Sequence, residues 1–219
     1  MLHRTATLSV SALLGVAVLA TGCGGSSPAP APGTSPAAGS SAPAAAAGPS
    51  AGSAGTEKPV AVESNPPGDI SDNIQYVAYT NPAGRYTIKH PEGWVQQEQG
   101  ASASFNDKLN GLTVAPGTAT TVPTVQTATS TDVPALQRSQ PAFQLGAVSA
   151  VTVPAGNGVR IVYRRNSAPD PVTGRKYRDE VQRYELVHNG REVVVELFGP
   201  VGSDNVDPYR IMIQSLQIS

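Results

Sequence analysis

Few residues in this chain have the type and spacing for covalent chemistry. The single cysteine, Cys23, closes the run Leu19-Ala20-Thr21-Gly22-Cys23 behind an apolar stretch from Leu8 to Leu19. His3 and Arg4 precede that stretch. A basic start, a short apolar run and small residues before a cut form the pattern of a secretory signal. Cysteine directly after Gly22 adds the pattern of a lipobox, in which the thiol takes a diacylglyceryl group and the cysteine becomes the first residue of the mature chain. Leu is commoner than Ala at the third place before such a cysteine. Here Ala20 stands there and Leu19 lies one place further out. The apolar run is shorter than the roughly 20 residues a spanning helix needs. A lone cysteine in an exported chain has no internal disulfide partner, and lipidation gives it a use. A diacylglyceryl pair, with or without an N-acyl chain, supplies the two chains that stable membrane attachment requires. Residues 1–22 are therefore read as a lipoprotein signal peptide and Cys23 as the lipidation site, which places the mature chain on the extracytoplasmic face of a cell membrane.

Other reactive groupings are weaker. Gly48-Pro49-Ser50-Ala51-Gly52 fits the G-x-S-x-G pattern of serine hydrolases. That motif works only on a strained strand-to-helix turn within a folded sheet, and here it lies in a Pro/Ala/Ser run where such matches arise from composition. After removal of the signal only His90 and His188 remain, with no cysteine free and no partner at ligand spacing. A zinc site has little support, and no cofactor motif of the G-x-G-x-x-G, P-loop or calcium-loop kind occurs. Asp179 and Glu180 are adjacent, so they fall on opposite faces of a strand and cannot share acid/base work.

Charge offers one further site. Arg164, Arg165, Arg175, Lys176 and Arg178 surround an Asp170-Pro171 loop. They form either cross-strand ion pairs on a solvated face or a patch for anionic lipid headgroups or wall polymer. Trp94, the only tryptophan, is read as a core anchor with a ligand-stacking role as the second reading. The net charge of −1 gives no sign of nucleic-acid binding.

These residues need a scaffold. From Gly24 to Gly55 only Gly, Ala, Ser, Thr and Pro occur, without a charge. Such a segment cannot bury a core and reads as a disordered tether. The tether is taken to continue through Pro67-Gly68, giving a lipidated Cys and tether over 23–70 and one domain over 71–219. About 50 residues of such chain reach roughly 40 Å.

In the domain, Tyr86, Ile88 and His90 alternate with Arg85, Thr87 and Lys89 as on a half-buried strand, and Pro91-Glu92-Gly93 then turns the chain. Short strands are expected at 103–106 and 112–115. Residues 116–131 read as loop, or as an edge strand near 122–127. Asp132-Val133-Pro134 reads as a helix start, with Leu136 facing the core and Pro141 as the stop. Two hairpins are expected, turning at 155–158 and at Asn189-Gly190. A closing helix is expected with Asp207 as its cap and Pro208 in first place. Tyr209, Met212, Ile213 and Leu216 give it one apolar stripe.

The run Tyr86-x-Ile88-x-His90-Pro91-x-Gly93-Trp94 resembles the strand–turn–Trp opening of PsbP-like domains. Phe105, the late hairpins and a closing helix with Tyr209 and Ser215-Leu216 suit the same plan. Over roughly residues 76–219 the chain is similar to the LpqN-type lipoproteins of high-GC Gram-positive bacteria, which carry such a domain behind a lipobox and a low-complexity tether. The resemblance implies an α+β fold in which an antiparallel sheet is sandwiched by helices. It also implies an accessory or binding role, because relatives include an extrinsic photosystem subunit and a Ran-binding import factor. No residue here carries either partner over, and fold analogy gives a class only.

Three functions follow as expectations. The first is a non-enzymatic lipoprotein whose domain binds a protein or envelope component. The second is a carrier or sensor of an apolar small molecule in a helix–sheet cleft. The third, ranked last, is a hydrolase.

Overall fold

The computed structural model describes residues 57–219. Cys23 with its lipobox, the chain up to residue 56 and the motif at 48–52 lie outside the described residues.

The strand expected at 86–90 forms as β2 (Tyr86–Pro91), pairing antiparallel with β1 (Tyr76–Asn81). Tyr86, Ile88 and His90 are buried and Thr87 and Lys89 are not, as the alternation requires. Gly93, at φ +84°, makes the turn, and Trp94 packs into the core at 6 % exposure.

The chain then enters a second sheet through β3 (Val95–Gln99), β4 (Ser102–Asp107) and β5 (Asn110–Pro116). After a helical excursion it completes that sheet with β6 (Gln144–Val153), β7 (Gly156–Asn166), β8 (Arg178–His188) and β9 (Arg191–Pro200). Every pairing is antiparallel, and the spatial order is β3-β4-β5-β9-β8-β7-β6. A short β10 (Gln217–Ile218) joins β2, so the smaller sheet runs β1-β2-β10.

The helical excursion departs from expectation. Residues 122–127 form no strand. A helix starts at Val125 as α1 (Val125–Thr127), widens into a π turn (Ala128–Asp132) and continues as α2 (Val133–Ser139). Its cap is Thr124, whose Oγ1 accepts from the Thr127 N–H at 3.1 Å while Thr127 Oγ1 accepts from the Thr124 N–H at 2.9 Å. This is a capping box built from two threonines. Asp132 therefore lies inside the helix and caps nothing. Pro134 lacks an N–H to close a turn, and the π turn directly before it accommodates that gap. Leu136 does face the core, and the helix stops before Pro141.

The first hairpin also shifts. Val153 pairs with Gly156, so Pro154-Ala155 is the turn and Asn157-Gly158 belongs to the strand. Gly158 is needed for closeness instead, since a Cβ there would lie 1.8 Å from the Glu185 carbonyl oxygen. The second hairpin turns at Asn189 and Gly190, both at positive φ, as expected.

The closing helix, α3 (Val206–Gln214), begins two residues before Pro208 with Asn205 at the cap position. Asp207 sits in the first turn and pairs with Arg210 at 3.0 Å. Pro208 is tolerated because the first-turn amides have no intrahelical partner.

Alternation gives the larger sheet two apolar faces. On one, Phe105, Leu112, Leu186, Val193, Val195 and Leu197 meet Tyr209, Met212 and Ile213 of α3 and Leu216 just past its end, together with Tyr86 and Ile88 of the smaller sheet. On the other, Val159, Ile161, Tyr163 and Val181 meet Ala128, Val133 and Leu136. Each fully buried aliphatic side chain contributes about 1.5–3 kcal/mol. The fold is α+β, an antiparallel sheet with helices on both faces.

The domain starts earlier than residue 71. Residues 57–70 lie against the end of the sheet where β7 and β9 finish and β8 begins. Ile70 is buried in the α3-side core. Among the described residues, no helix is long and apolar enough to cross a membrane.

Candidate functional site

The same end of the sheet carries the candidate site. β5 starts there, β7 and β9 end, and β8 starts, so Asn166, Asp179 and Phe198 converge. The C-terminal end of α2 adds Gln140 and Pro141, the β4–β5 turn adds Leu109, and the loop between β7 and β8 adds Pro169, Pro171, Lys176 and Tyr177. Together they line an open cleft of about 600 Å³. Its walls mix aromatic, proline and leucine side chains with polar and charged groups, among them Arg165, Asn166 and Asp179, a make-up that suits recognition of a polar partner.

Asp179 and Arg165 set the electrostatics. Directly opposed across β7 and β8, their side chains share one face of the sheet. Arg165 Nε lies 3.9 Å from Asp179 Oδ2, its Nη1 donates to Gln140 Oε1 at 3.0 Å, and its guanidinium carbon stands 4.9 Å over the Phe198 ring. Asp179 is 3 % exposed and accepts no side-chain hydrogen bond among the described residues. Burial pushes its carboxyl up to about 6, against the opposing pull of Arg165 and Arg178. The carboxylate thus lines the cleft with a guanidinium 3.9 Å away as its ion-pair partner, an acceptor that a donor entering the cleft can reach.

A charged row continues along this face. Glu196 stands between Arg165 (3.9 Å) and Arg183 (2.9 Å), and Arg183 also holds Glu185 at 2.6 Å. Tyr163 Oη donates to Glu196 at 3.2 Å. Every partner is taken within the row, which makes it structural.

The five basic residues singled out by sequence do not share one free surface. Arg178 is buried, donating to the Ala142 carbonyl at 2.8 Å and to Asn166 Oδ1 at 3.2 Å. Arg165 is the cleft residue just described. Arg164 pairs with Glu180 at 3.3 Å, both side chains about 40 % exposed. Arg175 pairs with Glu63 and lies over the Tyr177 ring, while Lys176 pairs with Glu57 at 2.7 Å. Trp94 is packed in the α3-side core, away from the cleft.

His90 is buried, its ring stacked on Phe105 at 4.0 Å, with Nδ1 at 2.9 Å from the Pro91 carbonyl. Burial lowers its pKa, against a smaller upward pull from the Pro91 carbonyl, which favours the neutral ring. His188 is exposed at the far end of β8. Among the described residues, no group of three or more His, Cys, Asp or Glu is placed to hold a metal.

Sequence reading missed the asparagines. Asn166, Asn205 and Asn110 are buried and bind the 57–70 segment. Asparagine in strand ends and loops carries no periodic signal. The available clue was compositional: Glu57 is the first charge after a long uncharged run.

No protein-family model matches the chain, and no curated protein does. Similarity appears among solved structures. Cyanobacterial PsbP from Synechocystis is 15 % identical, with 69 % of this chain and 98 % of that chain covered and a TM-score of 0.45. LpqN of Mycobacterium tuberculosis, described as involved in cell envelope biogenesis, is 14 % identical over 68 % of this chain and 92 % of that one, with a TM-score of 0.38. A Bacteroides thetaiotaomicron protein is 13 % identical over 65 % of this chain with a TM-score of 0.41, and the chain spans about half of its length, 48 %.

Proposed function

We propose that the chain is an extracytoplasmic lipoprotein, anchored at a cell membrane through Cys23, whose α+β domain is a non-enzymatic binding module for a protein or envelope component. The cleft at the sheet end is its recognition site. The observation that carries this reading is Asp179: a carboxylate at 3 % exposure, with no side-chain hydrogen bond among the described residues, lining an open cleft of about 600 Å³ beside Arg165, Phe198 and Tyr177. The layer between α3 and the sheet is filled, with Met212, Leu216 and Leu197 at 0–1 % exposure. This supports docking at the sheet end over carriage of an apolar molecule between helix and sheet.

Photo-crosslinking in intact cells tests the site. A crosslinker at Ser167, on the cleft wall, captures a discrete partner, while one at exposed Gln97 of β3 does not. Equal adduct patterns at both positions would sink the cleft as the docking site. The anchor is tested separately: Cys23→Ala releases the protein from membranes.

A further inference from the structure

Residues 57–63 neutralise the only two cations of the loop between β7 and β8. The loop, residues 167–177, contains Arg175, Lys176 and one carboxylate, Asp170. Glu57 takes Lys176 and Glu63 takes Arg175. The docked segment brings two carboxylates and Lys58, so its docking cancels the loop's net positive charge. Asp170 is spent on shaping the tip: its Oδ1 accepts from the N–H groups of Val172 and Thr173 and from Thr173 Oγ1 at 2.7–3.1 Å. That turn projects Pro171 and Val172 outward, and Val172 is 91 % exposed, more than any other large apolar side chain among the described residues. Tyr177 stands at the loop's base, half-buried.

An exposed apolar tip followed by two cations and a tyrosine has the chemistry of a membrane-interface contact. The valine enters the headgroup region, the cations meet anionic headgroups, and the tyrosine sits at the boundary. We propose that the 167–177 loop is a docking surface for an anionic lipid bilayer, masked by residues 57–63, and that contact with such a bilayer displaces Glu57 and Glu63. The segment suits this role because its ion pairs are partly exposed, the side chains of Arg175 and Lys176 being 59 % and 33 % exposed and those of Glu63 and Glu57 about 30 %, and because Asn166, its remaining hold, grips only Glu57, Lys58 and Val60. Pairs so exposed are weak and screened. Release also frees Asn166 and Lys176, both on the cleft wall, so bilayer contact and access to the cleft change together.

This inference rests on the reading of the chain as a membrane-anchored protein. Its test uses purified whole chain with added vesicles, so that failure here leaves the Cys23 anchor and the cleft untouched. Amide hydrogen exchange is followed in 57–63 and in 167–177 with phosphatidylcholine vesicles, with and without phosphatidylglycerol. Two cations near an anionic surface predict roughly tenfold faster exchange in 57–63 on the anionic vesicles and slower exchange in 167–177, both reversed by high salt. The double variant Glu57→Gln/Glu63→Gln exchanges fast at 57–63 on neutral vesicles already and protects 167–177 on anionic ones. Arg175→Gln/Lys176→Gln gives no response to phosphatidylglycerol, and Val172→Asp weakens it. The proposal is overturned if wild-type exchange at 57–63 is the same on both vesicle types at low salt. It is equally overturned if inorganic phosphate at matched ionic strength releases the segment as well as the vesicles do.

Discussion

Asn166 and Asn205 hold the incoming chain by the same pair of hydrogen bonds. Asn166 Nδ2 donates to the Lys58 carbonyl at 2.8 Å while its Oδ1 accepts from the Val60 N–H at 3.0 Å. Asn205 Nδ2 donates to the Gly68 carbonyl at 3.0 Å while its Oδ1 accepts from the Ile70 N–H at 2.8 Å. Each buried amide grips a C=O and the N–H two residues on, as a neighbouring strand would. These four bonds read backbone, which is why residues 57–70 dock without an apolar pattern of their own.

Asn166→Ala should loosen the start of this segment. It removes the partner of Glu57 Oε1, the Lys58 carbonyl and the Val60 N–H, in a stretch that can return to water, and one bond of the buried Arg178, so global stability falls by about 1–3 kcal/mol. Hydrogen exchange at Val60 should rise at least roughly tenfold. Asn205→Ala should cost more, because Ile70, whose N–H Asn205 holds, is anchored in the core. Urea midpoints rank the two variants. Unchanged exchange at Val60 in Asn166→Ala would show that the clamp does not hold the segment.

Gly158→Ala should be among the most damaging small substitutions in the domain. The added carbon would meet the Glu185 carbonyl oxygen at 1.8 Å and the Leu186 Cα at 3.0 Å, both backbone atoms in the middle of the sheet. β7 and β8 would have to part, at a cost of about 3 kcal/mol or more. Gly174→Ala is the control. Its Cβ meets nothing within 4 Å, and only its φ of +68° is strained, so the loss is about 1–2 kcal/mol. Thermal midpoints in the reverse order would refute this account of the β7–β8 contact.

The parts of the fold that were legible in sequence are those where one face of a periodic element is buried. Tyr86, Ile88 and His90 alternate because β2 has one wet and one dry face. Tyr209, Met212 and Ile213 fall on one stripe because α3 packs on one sheet, and Leu216, expected in the same stripe, is buried just past the helix end. Legibility failed where tertiary contact replaces pattern. α1 buries no residue of its own and depends on Thr124 and Thr127, so its sequence reads as loop. Gly156-Asn157-Gly158 carries turn composition, yet Gly158 is selected by the approach of the Glu185 carbonyl. For the site, Arg165 and the Asp170-Pro171 loop were picked out by charge. Asp179 was set aside because its neighbour Glu180 points the other way, and its true partner, Arg165, came only with the β7–β8 register.

His90 gives a pH signature of defined sign. Unfolded, a histidine titrates near 6.5. Burial against Phe105 lowers the folded value. As pH falls through 6.5 the unfolded chain takes up the proton and the folded one does not, so stability contributed by this site is present above 6.5 and declines below it. His90→Phe should flatten that part of the profile. An NMR titration placing the His90 ring at or above 6.5 would contradict the burial argument.

Asp179 gives the opposite sign, and it links stability to recognition. An unfolded aspartate titrates near 3.9, and in the folded domain burial pushes this carboxyl up to about 6. Between those values the folded state binds the extra proton, so stability falls as pH rises from about 4 to 6 and is level above. The full difference corresponds to about 2–3 kcal/mol, with the opposing pull of Arg165 and Arg178 already included. Asp179→Asn should therefore raise stability at neutral pH by about 1–2 kcal/mol and match the wild type near pH 4. Glu185, also raised by burial, keeps its own dependence of the same sign in both proteins, so the informative quantity is the difference between the two pH profiles. A purely structural carboxylate would end there. One retained for binding should show a second effect: Asp179→Asn, though more stable, should lose the adduct formed from the Ser167 position in cells, because an amide cannot replace the charge a partner's donors meet. A variant less stable than wild type at pH 7 would remove the desolvation argument. A stabilised variant with an undiminished adduct would remove Asp179 from the recognition site.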